Sequence, residues 1–176
     1  MLLSRERYSE TLKLIAKQIL LVLVYLHRRL VVHGDIKPEN ILLAEGDRVK
    51  LADFGHSSVT GCDHFSVNIS GGPSTVAYTA PEVLVGGKPT AQSDIWSFCC
   101  TLLYLFTGTR PWPHLSNDWA IICSIGTGKD SPDLPDIGKQ NHLALDAIKW
   151  GLARNPDDRP SANGLFCHEF FKRTYS

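Results

Sequence analysis

The stretch from Leu12 to Leu26 constrains the fold more than any other part of the chain. Leu12, Ile15, Ala16, Ile19, Val22, Leu23 and Leu26 keep the three-and-four spacing of an α-helix. From Ile19 onward the stretch is apolar on nearly every face, and a helix without a polar face has to be covered by other elements. A central helix in a mainly α core is therefore expected. The unbroken apolar run, Ile19 to Leu26, has eight residues, far short of the roughly 20 that cross a bilayer. It reads as a core helix rather than an anchor.

Further along, Ile41-Leu42-Leu43 and Arg48-Val49-Lys50-Leu51 flank the turn-like Ala44-Glu45-Gly46-Asp47, predicting a short β-hairpin. A polar region containing Gly71-Gly72-Pro73 follows. Helical patterning then returns at Asp94 to Thr107 with Gly108 as a stop, at Trp119 to Ile125, at Leu143 to Ala153, and in a last helix from Ser161. Pro111, Pro113, Pro132, Pro135 and Pro156 fall between these segments, where a residue that cannot continue a helix belongs.

At 176 residues and 43% apolar content the chain can bury one sizeable core, so one domain is expected. Its 18 basic residues balance 18 acidic ones, and no net field draws it toward nucleic acid or an anionic membrane. Neither is expected as a partner. The five cysteines form no C-x-x-C pair, and Cys99-Cys100 lie in an apolar helical stretch, where they read as small buried hydrophobes. The start, Met-Leu-Leu-Ser-Arg-Glu-Arg, places charges where a signal peptide needs its apolar region. A cytoplasmic protein is the expectation.

The stretch that carries chemistry is His33-Gly34-Asp35-Ile36-Lys37-Pro38-Glu39-Asn40, followed by Asp53-Phe54-Gly55 and Ala80-Pro81-Glu82. Each triplet alone is a weak signal, but their order and spacing together resemble a eukaryotic protein kinase. Asp94-Ile95-Trp96-Ser97 is similar to the start of that family's buried central helix, and Asn155-Pro156-x-x-Arg159-Pro160 to its late arginine motif, whose arginine pairs with the glutamate at Glu82. The resemblance covers residues 1–176 and implies the C-terminal lobe alone: a mainly α helical bundle with a short β-hairpin at the catalytic cleft and the N-lobe absent. The catalytic loop would be 33–40 and the activation segment 53–82.

What the resemblance implies for chemistry is ATP-dependent phosphorylation of serine or threonine on protein substrates. Phosphoryl transfer needs positioning and charge neutralisation more than covalent help. Asp35 would accept or orient the proton of the substrate hydroxyl, and Lys37 would offset charge on the transferred group. Asn40 and Asp53 would hold Mg2+, and with it the nucleotide, through oxygen ligands. Thr75 falls where serine/threonine kinases place a threonine that touches the catalytic aspartate and lysine. His33 is expected to brace the loop rather than move protons. Asp94 reads either as a helix N-cap or, by the resemblance, as a partner of the catalytic-loop backbone. Trp96, Trp112, Trp119 and Trp150 are expected in packing.

Within the family, His33-Gly34-Asp35, Asp53 to His56 and Asp94 to Cys100 are most similar to the branch of mitogen-activated protein kinase kinase kinases that holds NF-κB-inducing kinase and Cot. That likeness implies downstream kinases as protein substrates. Ser74 departs from the usual glycine, and Gly71-Gly72-Pro73 just upstream is unusual for the family. No Gly-rich loop, Val-Ala-x-Lys strand or partner glutamate occurs in the sequence, and Gly126-Thr127-Gly128-Lys129 lacks Walker spacing and reads as a connector. Two functions follow: the catalytic half of a truncated kinase domain without autonomous activity, or an inactive kinase lobe that acts as a protein-binding module.

Gly34 stands where most of the family has the arginine that grips a phosphate on the activation segment. A version supplied with an ATP-covering lobe is therefore expected to keep most of its activity when Ser66, Ser70, Ser74 and Thr79 are all changed to alanine, measured as phosphate transfer to a protein acceptor. Near-total loss would contradict this.

Overall fold

The computed structural model describes residues 5–46, 48–60, 76–115, 117–127, 131–134, 137 and 141–172. The fold is mainly α. Helix α1 (Arg5–Arg28) leads into the two-residue strand β1 (Val31–Val32). Strands β2 (Ile41–Ala44) and β3 (Arg48–Leu51) form the expected hairpin, in the register Ile41↔Leu51 to Ala44↔Arg48. Strand β4 (Ser58–Val59) returns to pair antiparallel with β1. The helices α2 (Pro81–Leu84), α3 (Ala91–Thr107), α4 (Asp118–Thr127), α5 (His142–Gly151), α6 (Ala162–Phe166) and α7 (Glu169–Lys172) complete the order.

The centre of the molecule is α3 rather than α1. Every residue from Ser93 to Leu103 is buried, including Ile95, Trp96, Phe98 and Leu102. Each of the large apolar side chains among them contributes roughly 1.5–3 kcal/mol by leaving water. On one side α3 packs against α1, and on another against α5. Its start is fixed by a reciprocal capping box, in which the Ser93 backbone N–H donates to Thr90 Oγ1 at 3.2 Å and Thr90 N–H to Ser93 Oγ at 2.9 Å. Gly108, with φ +66°, ends it by donating its N–H to Tyr104 O.

Helix α1 is only half covered, which corrects the expectation drawn from its apolar second half. Ala16, Ile19, Leu20 and Leu23 are fully buried, but Leu14, Leu21 and Tyr25 are exposed on the other face. The covered face meets α3, α6, β1 and β3. Gln18 on this helix accepts the Val49 N–H at 3.0 Å, which anchors β3 to the helical body. Of the four tryptophans, Trp96 and Trp112 are core residues, whereas Trp119 and Trp150 are exposed. Cys99 and Cys100 are buried as expected, and loss of solvent pushes both thiols well above their ordinary range.

A second device closes the lower half. Arg159, fully buried at its side chain, makes a bidentate pair with Glu82, Nη1 to Oε1 at 2.7 Å and Nη2 to Oε2 at 2.8 Å. Its remaining donors go to the carbonyls of Ala153, Gln92 and Arg154. The expected Arg159–Glu82 pair is thus present, and it joins the first turn of α2 to the turn before α6. Replacing Glu82 by alanine strands a buried guanidinium, so urea denaturation is expected to show a loss of about 3 kcal/mol. A loss under about 0.5 kcal/mol would place the pair among ordinary surface contacts.

Candidate active site

The site is built where the loop after β1 meets the turn after β3. The hairpin does the first part of the assembly. Because Ile41 faces Leu51, Asn40 and Ala52 meet at its base, where the Ala52 N–H donates to Asn40 O at 2.9 Å. Asn40 and Asp53, 13 positions apart by number, are thereby brought to one end of the same short sheet.

Asp94 does the second part. It does not cap α3, since Thr90 has that role; it sits in the first turn, 1% exposed, and reaches the loop. Its Oδ2 accepts from the His33 backbone N–H at 2.9 Å and from His27 Nε2 at 2.9 Å, and its Oδ1 from the Gly34 N–H at 2.9 Å. Three donors on one buried carboxylate offset the cost of removing it from water.

Asp35, 5% exposed, receives the convergent groups. Lys37 Nζ lies 2.7 Å from its Oδ2, and Asn40 Nδ2 donates to the same oxygen at 3.0 Å and to the Asp35 carbonyl at 2.8 Å. With the donor end of its amide so committed, Asn40 has its carbonyl oxygen left to serve as a ligand. Asp53 has φ +61° and ψ +77°, a left-handed conformation that costs a non-glycine residue about 1 kcal/mol or more. Its Oδ1 accepts the Gly55 N–H at 3.1 Å, and ligand atoms of Asp35, Asp53 and His56 all lie within 4.8 Å of one another. Oxygen donors from Asn40 and Asp53 beside a buried carboxylate fit a hard divalent cation.

His33 braces this arrangement. Its Nε2 donates to Ala52 O at 3.1 Å, its Nδ1 accepts the Asp35 N–H at 3.3 Å, and its ring meets Phe54 edge-on at 4.8 Å between centroids. Those partners select the neutral ring, and burial lowers its pKa from the usual 6.5. Both nitrogens are occupied by the backbone, so the imidazole holds the loop.

Of the residues singled out by sequence, Asp35, Lys37, Asn40 and Asp53 are brought together, while Thr75, Ser74 and Gly71-Gly72-Pro73 lie outside the described residues. Two features escaped the sequence reading. One is His56, whose Nδ1 lies 3.9 Å from Asp35 Oδ2. The other is the physical reason for Gly34: it has φ +79°, and a Cβ there would stand 2.7 Å from His56 O. Ser57 Oγ donates to His33 O at 3.2 Å beside this contact, and the β1–β4 pairing continues it.

Comparison with known proteins was consistent with this geometry. A family model described as "Protein kinase domain" matches residues 3–171. Mitogen-activated protein kinase kinase kinase 3 of Arabidopsis thaliana is 40% identical over 162 residues, covering 90% of this chain and 25% of that protein. The MAP kinase kinase kinase wis4 of Schizosaccharomyces pombe is 33% identical, covering 94% of this chain and 13% of the relative. Mitogen-activated protein kinase kinase kinase A of Dictyostelium discoideum is 34% identical, covering 93% and 17%. The chain therefore spans a quarter or less of the length of these relatives.

The Gly34 contact can be separated from the backbone strain that accompanies it. Gly46 has φ +73°, and among the described residues no atom lies within 4 Å of where its Cβ would stand. Gly46→Ala is expected to cost about 1 kcal/mol, and Gly34→Ala a further 1–3 kcal/mol or so, roughly, from overpacking against His56 O. Equal losses in thermal or urea unfolding would remove the contact from the account.

Proposed function

Since the chain belongs to the protein kinase family, we propose that it transfers the terminal phosphoryl group of ATP to serine or threonine hydroxyls of protein substrates, as the catalytic-loop lobe of a kinase domain spanning 1–176. Downstream kinases are the substrate class that its mitogen-activated protein kinase kinase kinase relatives suggest by name. The observation that carries the reading is the convergence of Lys37 and Asn40 on buried Asp35, with Asp53 beside them. His33-Gly34-Asp35 with Asp53-Phe54-Gly55-His56 supports placement near NF-κB-inducing kinase and Cot within the group.

In this reading the carboxylate of Asp35 accepts or orients the proton of the acceptor hydroxyl. Lys37, now held on Asp35 Oδ2, offsets charge at the transferred group. Thr75, outside the described residues, would touch both. Asn40 and Asp53 would hold Mg2+, which would supply neutralisation of phosphate charge. A lobe that covers the nucleotide is required in addition to the residues described. Leu42 and Leu43 of the hairpin are 50% and 68% exposed, and Phe54 is 48% exposed, so this side of the site presents apolar surface for further polypeptide.

The same exposed side chains favour a second reading, in which the lobe alone binds protein partners without catalysis. Calorimetry of Mg2+-dependent ATP binding separates the two, on this chain, on Asp53→Asn, and on a version carrying an ATP-covering lobe. The lobed version is expected to bind ATP with Mg2+ and lose that dependence in Asp53→Asn. Asp35→Asn should still bind ATP while its transfer rate falls by about 10²-fold or more. Undiminished transfer in Asp35→Asn would overturn the assignment, and failure of the lobed version to bind ATP would leave the binding-module reading.

A further inference from the structure

We propose that Asp35, Asp53 and His56 form a binding site for a transition-metal dication of the zinc type, which shares Asp53 with the oxygen-only set of Asn40 and Asp53 and differs from it by a ring nitrogen. The three side chains each offer one ligand atom, and these atoms lie within 4.8 Å of one another. His56 Nδ1 is buried and lacks a hydrogen-bond partner among the described residues, although the side chain as a whole is 36% exposed. It lies 3.9 Å from Asp35 Oδ2, too far for a hydrogen bond.

Metal bonds of about 2.0–2.2 Å put tetrahedral ligands about 3.4 Å apart, so the His56–Asp35 pair at 3.9 Å needs to close by roughly half an ångström and no pair of the cluster by more than about 1.4 Å. The backbone under His56 is already fixed. Its carbonyl lies against Gly34, and the residue ends the 3-10 turn Phe54–His56, which Asp53 Oδ1 caps through the Gly55 N–H. Lys37 Nζ, 2.7 Å from Asp35 Oδ2, is the group a dication displaces, and its flexible stem lets it turn away. An imidazole nitrogen favours zinc, cobalt or copper over magnesium, which keeps to oxygen ligands and octahedral geometry. Under the proposed function, occupation of this site would withdraw Asp35 from the acceptor hydroxyl.

The test is titration of the whole chain with Co2+, read by its visible d–d absorption, followed by Zn2+ to displace it. A tetrahedral-type band that Zn2+ abolishes is expected, weakened by about tenfold or more in affinity in both His56→Gln and Asp35→Asn. Circular dichroism shows that each variant is folded, and Asp35→Asn leaves the Gly34–His56 contact in place should His56→Gln melt early. Among the described residues, besides the buried His27–Asp94 pair, the histidine–carboxylate pairs with an exposed carboxylate compete for the probe: His114–Asp133 at 3.2 Å and His168–Asp146 at 3.1 Å. Cys123 and Cys167 are exposed thiols. Changing His114 or His168 to glutamine, or the two cysteines to serine, is expected to leave the band intact. No band, or unchanged Co2+ affinity in folded His56→Gln and Asp35→Asn, would falsify the site. The readout needs no ATP, so it stands or falls separately from phosphoryl transfer.

Discussion

The buried carboxylate of Asp94 is the interaction on which the rest of the site depends. It belongs to the first turn of α3, where the positive end of the helix dipole favours a negative charge. From there it collects two backbone N–H groups of the loop after β1 and the imidazole of His27 at the end of α1. The most buried helix, the helix beside it and the loop that carries Asp35 are thus joined at one atom pair. Losing any of the three donors would leave charge uncompensated at a position only 1% exposed. Packing of the apolar core is in this way converted into the placement of a polar loop.

Once the loop is placed, the segment after β3 is placed by it. His33 holds Ala52 through its ring, Ser57 holds His33 O, and the strands β1 and β4 pair residue by residue beyond them. These contacts surround Asp53 on both sides in sequence, which is the condition under which a left-handed non-glycine residue persists in spite of its strain. The site therefore combines a hydrogen-bonded backbone with a few side chains, Lys37 and His56 among them, placed beside Asp35.

Much of this was legible in the sequence for identifiable reasons. The hairpin was visible because its apolar runs flank a turn, and the Glu82–Arg159 pair because each residue lies in a motif of the family that the sequence resembles. The residues expected in catalysis followed from motif order, and four of them do converge in space. What escaped were features without a readable signature in the sequence. Thr90 as the cap of α3 was missed because its reciprocal partner at the third helical position is Ser93 rather than glutamate or glutamine. The pairing of two-residue strands β1 and β4 leaves no periodicity to read. The exposed face of α1, with Leu14, Leu21 and Tyr25, contradicts the simplest meaning of an apolar helix, since pattern gives a side chain's character and not the extent of its cover.

Gly34 shows how a sequence difference and a structural one can be the same fact. Read along the chain, it is an arginine missing from its usual place, and hence a phosphate with less to grip. In space it is the only residue type that suits the position, because φ is +79° and His56 O stands where a Cβ would be. The Cβ of an arginine there would have to push the turn Phe54–His56 away from Gly34. The two backbones thus approach closely at a position where the resemblance implies an arginine. The same approach that leaves no room for an arginine side chain sets the His56 ring beside Asp35, with Nδ1 3.9 Å from Oδ2.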